Sequence, residues 1–186
     1  MNPQDEIRSL FQKFQEGYIQ RDLTQVDSFM ELFTTDAEVI GTNGQKPGVD
    51  EWYMDCASAR ELVHGDWEGW GDLRLDLDNM SVHSRGDVGW VAASATVTKM
   101  IGEENYASYL EYVKNYIDSP DLSAEQKLLN ILRGGTNTVF ELRRGEKFVW
   151  VLRFTAVVVR EADGWKFIQM NFSFPTIYFP DVRILE

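Results

Sequence analysis

Residues 164–175 read GWKFIQMNFSFP, and this segment is the strongest single indication of the fold. It follows a hairpin turn at 162–164 and stops at Pro175, so it predicts a long final β-strand. Because side chains alternate across a strand, one face ends in a row of polar groups. The members of that face are Trp165, Phe167, Gln169, Asn171 and Ser173. The polar row either points into a ligand pocket or lies in solvent, and both interpretations stay open.

The second half of the chain is predicted to be mostly strand. Long strands are expected at 148–160 and 88–100, and leucines alternate with acidic residues at 72–78. The first half is helical, with helices expected at 7–18, 26–33 and 50–63. A helical hairpin is predicted between the long strands, at about 101–147, with a capping box at Ser123 and Gln126 and a helix end at Gly134-Gly135. The order of these elements indicates an α+β fold.

Composition limits the function classes. The 186 residues carry 18 Lys and Arg against 30 Asp and Glu, a formal net charge of −12. An acidic chain is repelled by phosphate backbones and by anionic membrane surfaces, so neither nucleic acid nor membrane is expected as a partner. One cysteine cannot form an intrachain disulfide, and no signal peptide is seen, so we expect a cytoplasmic protein.

Four segments carry a resemblance to a known family. They are RDL at 21–23 followed by MELFTTDAEV at 30–39, then GVDEW at 48–52, DWEGWGD at 66–72, and the final strand at 164–175. In order and spacing they resemble the nuclear transport factor 2-like superfamily, and within it the SnoaL-like (polyketide-cyclase-like) group. The resemblance implies one SnoaL-like domain over 1–186, with an insertion at about 101–147. It implies a cone-shaped, curved antiparallel sheet wrapped around three N-terminal helices, a pocket inside the cone, and a homodimer through the outer face of the sheet.

The resemblance also tests one chemistry position by position. In ketosteroid isomerases of this superfamily, a tyrosine on the first helix donates a hydrogen bond to the oxyanion, and a carboxylate at the end of the first strand takes the proton. Those positions fall on Phe14 and near Gly41 here, and neither residue can donate to an oxyanion or take a proton. Where SnoaL-like members often carry a histidine two residues before a serine, this chain has Asn171 before Ser173. Ketosteroid-isomerase chemistry is therefore not expected.

Three functional hypotheses remain. The first is binding of a small, largely apolar ligand in the cone pocket, whose predicted lining is Phe14, Tyr18, Trp52, Trp67, Trp90, Asn171 and Ser173. The second is an isomerase, dehydratase or cyclase type of enzyme, whose candidate catalytic residues are Asp66, His64 and Asp55. The third is a protein-interaction module that presents Tyr106, Tyr109 and Tyr112 of the inserted helices.

Residues 66–70 allow two interpretations. Asp66 or Glu68 could be tuned by burial as an acid or base at the pocket mouth, or Trp67 and Trp70 could simply close one end of the core. No metal is expected, because the acidic residues at 72–78 alternate along a strand and no paired Cys or His pattern exists. No cofactor is expected either, because no glycine-rich nucleotide motif is present.

Overall fold

A computed structural model describes residues 2–100, 102–143 and 147–174 of the chain. Its elements are, in chain order, α1 (Pro3–Gln20), α2 (Val26–Met30), β1 (Phe33–Ile40), β2 (Trp52–Tyr53), α3 (Cys56–Gly69), β3 (Asp72–Leu75), β4 (Ser81–Arg85), β5 (Val88–Met100), α4 (Glu103–Ile117), α5 (Ala124–Arg143), β6 (Lys147–Glu161) and β7 (Gly164–Ser173). A short 3-10 turn at Leu23–Gln25 lies between α1 and α2.

The strands form one curved, unclosed sheet in the order β2-β1-β7-β6-β5-β3, with β4 paired to β5. The predicted α+β class, with helices followed by a curved sheet, is confirmed. One pair departs from the antiparallel expectation. The last strand lies beside the first and runs parallel to it, with Phe33 opposite Phe167 and Ile40 opposite Asn171. The sheet is therefore mixed, since β7 lies between β1 and β6 and runs parallel to β1 and antiparallel to β6.

The chain divides into two compact units. Among the described residues, the first holds those up to Val97 and residues 150–174, and it contains α1, α2 and α3. The second holds Thr98–Val149 and contains α4 and α5. The insertion predicted at about 101–147 falls within this second unit, and the organisation of the whole chain as one SnoaL-like domain stays a prediction.

Helix α1 supplies the centre of the first unit. It starts at a cap in which Asn2 accepts from the backbone N–H of Gln4 over 3.3 Å, and it ends where Arg21 turns into the left-handed region at a φ of 48°. Its apolar stripe was predicted from the spacing and is buried as expected; its members are Ile7, Leu10, Phe11, Phe14 and Tyr18. Phenylalanines of β1, β6 and β7 pack against this stripe, so the inner face of the sheet is filled by aromatic rings.

Helix α3 lies further along the chain than the sequence predicted, at Cys56–Gly69 rather than 50–63. The reason is local. Asp50 adopts a positive φ of 54°, and Trp52–Tyr53 pairs with β1 as a short strand. The helix then begins where Asp55 accepts from the backbone N–H of Ser58 over 2.7 Å. As a result, residues 66–69 form the last turn of α3 and not a loop at the pocket mouth.

A β-bulge changes the faces of β7. Val157 pairs with Gln169 and Val158 pairs with Phe167, so Ile168 has no partner on β6. The buried residues of the strand are Trp165, Phe167, Met170 and Phe172. The prediction that Gln169, Asn171 and Ser173 share a face with Trp165 and Phe167 is therefore wrong, because the extra residue reverses the alternation.

In the second unit, helix α5 begins at the predicted capping box but ends later than predicted. Ser123 and Gln126 form the reciprocal capping box, with distances of 2.9 and 3.2 Å. Helix α5 does not stop at Gly134-Gly135 but continues to Arg143. A Cβ placed on Gly134 would lie 2.5 Å from Cε2 of Tyr109, so this glycine permits close packing of α4 on α5. Tyr109 also donates its hydroxyl hydrogen to the carbonyl oxygen of Ile131 over 2.8 Å.

Candidate functional site

A phenol and a carboxyl group meet between α1 and α3. The Oη of Tyr18 donates a hydrogen bond to Oδ2 of Asp66 over 2.9 Å. Tyr18 is fully buried, whereas Asp66 keeps part of its surface exposed. The tyrosine ring is flanked by Trp67 and Trp70, whose ring centroids lie 6.2 and 6.5 Å from its own. The pair therefore has an apolar, aromatic surround and a side that is open to solvent.

Burial changes the acidity of both groups. Desolvation raises the pKa of Asp66 to about 7, opposed by the hydrogen bond from Tyr18 and assisted by the negative charge of Glu51. Desolvation also raises the pKa of Tyr18 well above its ordinary value, and the neighbouring Asp66 adds to that rise. At neutral pH, Tyr18 is therefore a neutral donor, and Asp66 exists in both protonation states.

Tyr53 of β2 belongs to the same neighbourhood. It is half-buried against the core, and its pKa is raised by desolvation and by the charges of Glu51, Glu61 and Asp66. Within the described chain, none of these three carboxylates forms an ion pair with a lysine or arginine. The surroundings of the Tyr18–Asp66 pair are thus aromatic and negatively charged.

Glu51 is a site residue that sequence reasoning missed. Its two carboxylate oxygens accept hydrogen bonds from the backbone N–H and the side-chain amide of Asn43, each over 2.9 Å. The carboxylate packs against Gly41, where any side chain would overlap it. Gly41 lies at or near the position at which the resemblance places a carboxylate base. The signal available in the sequence was an acidic residue at the far end of the turn-rich loop 41–50.

Two residues of the predicted pocket lining are core residues. Phe14 is fully buried and makes ring contacts with six aromatic side chains, which are Tyr18, Phe29, Phe33, Phe154, Phe167 and Phe172. Trp67 is 4% exposed and lies 5.0 Å from Phe29, centroid to centroid. Two open clefts of about 400 and 230 Å³ lie beside α1 and α2, and Asp66 lines neither of them. Of the residues predicted to line the pocket, only Tyr18 forms a described hydrogen bond with a candidate catalytic residue, which is Asp66.

Three further predicted residues lie near α3 in other roles. Trp52 donates its indole N–H to Oε1 of Glu38 over 2.5 Å. Asp55 is exposed and caps α3, and hydrogen bonds from the backbone N–H and the hydroxyl of Ser58 lower the pKa of that carboxyl group. His64 lies 3.7 Å from Glu68, one turn along α3. The structure does not bring Asp55 or His64 to the Tyr18–Asp66 pair.

The remaining predicted residues are on the opposite face of the sheet. Trp90 is 47% exposed and stacks on His83, with ring centroids 5.5 Å apart, while its neighbours Gly89 and Val91 are buried. Asn171 and Ser173 pair with Thr155 and Arg153, which are both exposed. The resemblance implied that these residues line the pocket, but the alternation of β5 and the bulge of β7 turn them away from the aromatic core. This corrects their assignment.

Other candidate chemistry is sparse. In the part of the chain that the structure describes, no three His, Cys, Asp or Glu side chains are grouped as a metal site would require. No helix among these residues is long and apolar enough to cross a bilayer. Tyr112 of the hairpin is exposed and stacks 5.5 Å from Tyr116, whereas Tyr109 is engaged with α5, so the interaction hypothesis stays a prediction.

Solved structures of other proteins share the fold of this chain. A nuclear transport factor 2-like protein with a cystatin-like fold from Novosphingobium aromaticivorans matches with a TM-score of 0.58, 13% identity, and coverage of 98% of this chain and 88% of that chain. A provisionally assigned scytalone dehydratase from the same organism matches with a TM-score of 0.56 and 9% identity, over 92% of this chain and 83% of that chain. A ketosteroid isomerase-like protein from Erwinia carotovora matches with a TM-score of 0.53 and 10% identity, over 93% of this chain and 96% of that chain. At these identities the likeness establishes the fold alone.

The family follows from the sequence itself. The family model described as a SnoaL-like domain matches residues 7–113, which is more than half of the chain. The chain therefore belongs to the SnoaL-like domain family, and the resemblance drawn from its four segments is confirmed. No protein of curated function matches the sequence.

Proposed function

We propose that this protein is an acid–base enzyme of the isomerase, dehydratase or cyclase type that acts on a small, largely apolar molecule. One observation carries the proposal, which is the hydrogen bond between the buried phenol of Tyr18 and the partly exposed carboxyl group of Asp66. Asp66 is the proton-transferring group, and Tyr18 is a positioning residue that fixes its orientation.

The acidity of Asp66 suits this role. A group transfers protons best when its pKa lies near the working pH, and burial brings the pKa of Asp66 to about 7. An ordinary aspartate is almost wholly ionised at neutral pH and is a poor acid there. Carboxyl groups with a purely structural role can also have raised pKa values. Asp66 differs from a fully buried structural group in that it is partly exposed, which leaves it within reach of a ligand.

The surroundings favour an apolar, uncharged or cationic substrate. Trp70 and Tyr53 are half-buried beside the pair, and the charges of Glu51 and Glu61 oppose binding of carboxylates or phosphates. Two proteins with the same fold carry the names of a dehydratase and a ketosteroid isomerase-like protein, which supports proton transfer next to a carbonyl group as the reaction class.

The test is an activity assay with two simple probes. The first probe is dehydration of the aldol adduct of benzaldehyde and acetone. The second is migration of the double bond of a simple β,γ-unsaturated ketone, which would here use Asp66 and not the two family positions that fall on Phe14 and near Gly41. Both reactions create an enone that is followed by its ultraviolet absorbance. We expect turnover by the wild type and a loss of about 10²–10⁴-fold in Asp66→Asn. Glu68→Gln, a variant of an exposed carboxylate on the same helix, serves as the control. Absence of wild-type turnover on both probes, or full activity in Asp66→Asn, would overturn the proposal.

A homodimer through the outer face of the sheet is a second, independent proposal about this protein. Exposed apolar side chains on that face support it, namely Val88, Trp90 and Val151. Location in the cytoplasm is likewise proposed, on the grounds that the only cysteine, Cys56, is a free thiol.

A further inference from the structure

The second unit, Thr98–Val149, contains many apolar side chains but no core among the residues that the structure describes. Its helices α4 and α5 hold 15 and 20 residues, yet none of its described side chains is buried. The described hydrophobic residues that are buried all lie in the first unit. Helices normally bury their apolar surface against a further layer, because two helices that pack only on each other leave it open. The open sides of this hairpin are therefore candidate interfaces.

The contacts between α4 and α5 show which side of each helix is open. Tyr109 of α4 packs on Gly134 of α5 and donates its hydroxyl hydrogen to the carbonyl oxygen of Ile131. Nearer the turn between the helices, Lys127 of α5 donates to the carbonyl oxygen of Ile117 over 2.6 Å. The helices therefore run antiparallel, and Tyr109 and Gly134 mark the inner side that each helix turns to the other.

Four large apolar side chains lie on one open side of the hairpin. They are Leu110 and Ile117 of α4 and Leu128 and Leu132 of α5, and they are between 49% and 66% exposed. The first three each lie roughly 80–120° around their helix from the residue that marks its inner side. This rotation has the same sense in both helices, and because the helices are antiparallel it leads to the same side of the hairpin. Leu132 lies one turn beyond Leu128, and we call these four side chains the hairpin face.

Tyr112 lies on the other open side of the hairpin. It is 54% exposed, and its ring stacks with those of Tyr109 and Tyr116. Its rotation from Tyr109 is roughly 60° in the opposite sense. One open side is therefore lined by tyrosine and the other by aliphatic side chains, so a substitution of Tyr112 is a matched control for the hairpin face.

A second copy of this chain is the occupant that the hairpin face fits. The four side chains carry neither charge nor hydrogen-bonding groups, so the face matches another apolar surface such as its own copy. At roughly 100 Å² of exposed apolar surface each, two facing copies bury about 1,000 Å² with the atoms that flank them, the lower limit for a specific interface. Two hairpins also supply the four antiparallel helices of an up-down bundle, which encloses such faces.

We propose that two copies of this chain associate through the hairpin face, so that α4 and α5 of both copies form one four-helix bundle. The interface is isologous, and each copy contributes the same four side chains. It shares no residue with the proposed contact through the outer face of the sheet, and it does not depend on the proposed function. Where both contacts form, the assembly is a closed tetramer.

The test is sedimentation velocity of the full chain over a range of concentrations. Leu110→Glu and Leu128→Glu each place a carboxylate on the hairpin face, where association would remove its water. We expect each substitution to raise the dissociation constant of this step about tenfold or more and to halve the mass of the assembled species. Tyr112→Glu, the control, should change the dissociation constant less than about threefold, because it lies on the other open side.

Amide hydrogen exchange shows where the contact forms. In the wild type, exchange in α4 and α5 should slow as the protein concentration rises, because association covers the hairpin. In Leu128→Glu this dependence should disappear, while exchange in α1 stays the same in both proteins. The substituted side chains are exposed in the single chain, so circular dichroism should show that the variants keep their fold. If both variants unfold, the concentration dependence of exchange in the wild type decides the question alone.

Several outcomes would overturn the proposal. Unchanged assembly in Leu110→Glu and Leu128→Glu, or equal disruption by Tyr112→Glu, excludes the hairpin face as the contact. A wild-type monomer whose hairpin exchanges slowly at every concentration indicates that the first unit of the same chain covers the face. A wild-type monomer that sediments with phosphatidylcholine vesicles identifies lipid as the occupant. A monomer with fast exchange in α4 and α5 shows that nothing covers the face.

Discussion

The hydroxyl of Tyr18 and the carboxyl group of Asp66 join two helices across 48 positions of sequence, at a distance of 2.9 Å. This contact links the core of the first unit to its candidate chemistry, since Tyr18 is fully buried and Asp66 is partly exposed. Changes in either residue should therefore be visible both in stability and in proton affinity.

The contribution of Asp66 to the free energy of unfolding should fall as pH rises from about 4 to about 7. Below pH 4, Asp66 is protonated in both states; between these values the unfolded chain releases the proton while the folded protein, with a pKa of about 7, retains it. The cost is on the order of 2–4 kcal/mol and becomes constant above pH 7. In urea titrations at several pH values, Asp66→Asn should gain stability relative to the wild type as pH rises. A difference that is constant with pH would contradict this expectation.

Replacing Tyr18 by phenylalanine should raise the pKa of Asp66 further. The hydrogen bond from Tyr18 opposes the effect of burial, and removing it leaves desolvation and the charge of Glu51 to act alone. We also expect a loss of about 1–3 kcal/mol in the free energy of unfolding, because a buried acceptor loses its donor. Carbon-13 titration of the carboxyl groups reports the pKa directly, and a lower value in Tyr18→Phe would show that the contact is not made in solution.

The two adjacent glycines of α5 should respond oppositely to alanine. A Cβ on Gly134 would lie 2.5 Å from the Tyr109 ring, whereas on Gly135 it would be an ordinary 3.5 Å from the tyrosine hydroxyl. Gly134→Ala should destabilise the hairpin by about 1–3 kcal/mol, and Gly135→Ala should stabilise it by up to about 1 kcal/mol through helix propensity. Amide hydrogen exchange in α4 and α5 measures both, and similar effects of the two substitutions would refute the packing argument.

Deletion of Ile168 should prevent folding. Without the bulge, Gln169, Asn171 and Ser173 would turn toward the aromatic core in place of Met170 and Phe172. The expected cost exceeds about 4 kcal/mol, enough to abolish a cooperative urea transition. Ile168→Ala, which keeps the register, should remain folded and serves as the control. A native-like circular dichroism spectrum and transition in the deletion variant would disprove the assigned register.

The proposed homodimer should be visible by native mass spectrometry of the purified protein. Trp90 is exposed on the outer face of the sheet, so Trp90→Asp should shift the population toward monomer by burying a charge in the interface. Glu104→Gln, an exposed substitution in the hairpin, is the control. A wild-type protein that is monomeric at all concentrations would remove the support for an interface on this face.

Much of the fold could be predicted because apolar periodicity is a local signal. The stripe from Ile7 to Tyr18 gave α1, and the strand at Val88–Met100 was expected at the bounds that the structure has. Helix α3 was misplaced because its start depends on the Asp55 cap and on the pairing of Trp52–Tyr53 with β1, which is a contact between distant residues.

The candidate site was harder to predict for the same physical reason. Asp66 was among the candidates because it belongs to a segment with two tryptophans, where burial could tune a carboxyl group, but its partner on α1 depends on how two helices pack. Glu51 depends on a loop folding back so that Asn43 and Gly41 meet it, and no periodic pattern records that arrangement. The change of face within β7 could not be predicted because one unpaired residue leaves no trace in composition.

The unpaired Ile168 splits β7 into two segments of opposite phase, and this affects how relatives can be compared. An aligned column after position 168 refers to the same surface only in proteins that carry the bulge at the same step. In a relative without it, a matching residue at 171 or 173 would point to the other side of the sheet. Residue roles should therefore be transferred between members of this family by the orientation of the side chain, and not by the amino-acid type at an aligned position alone.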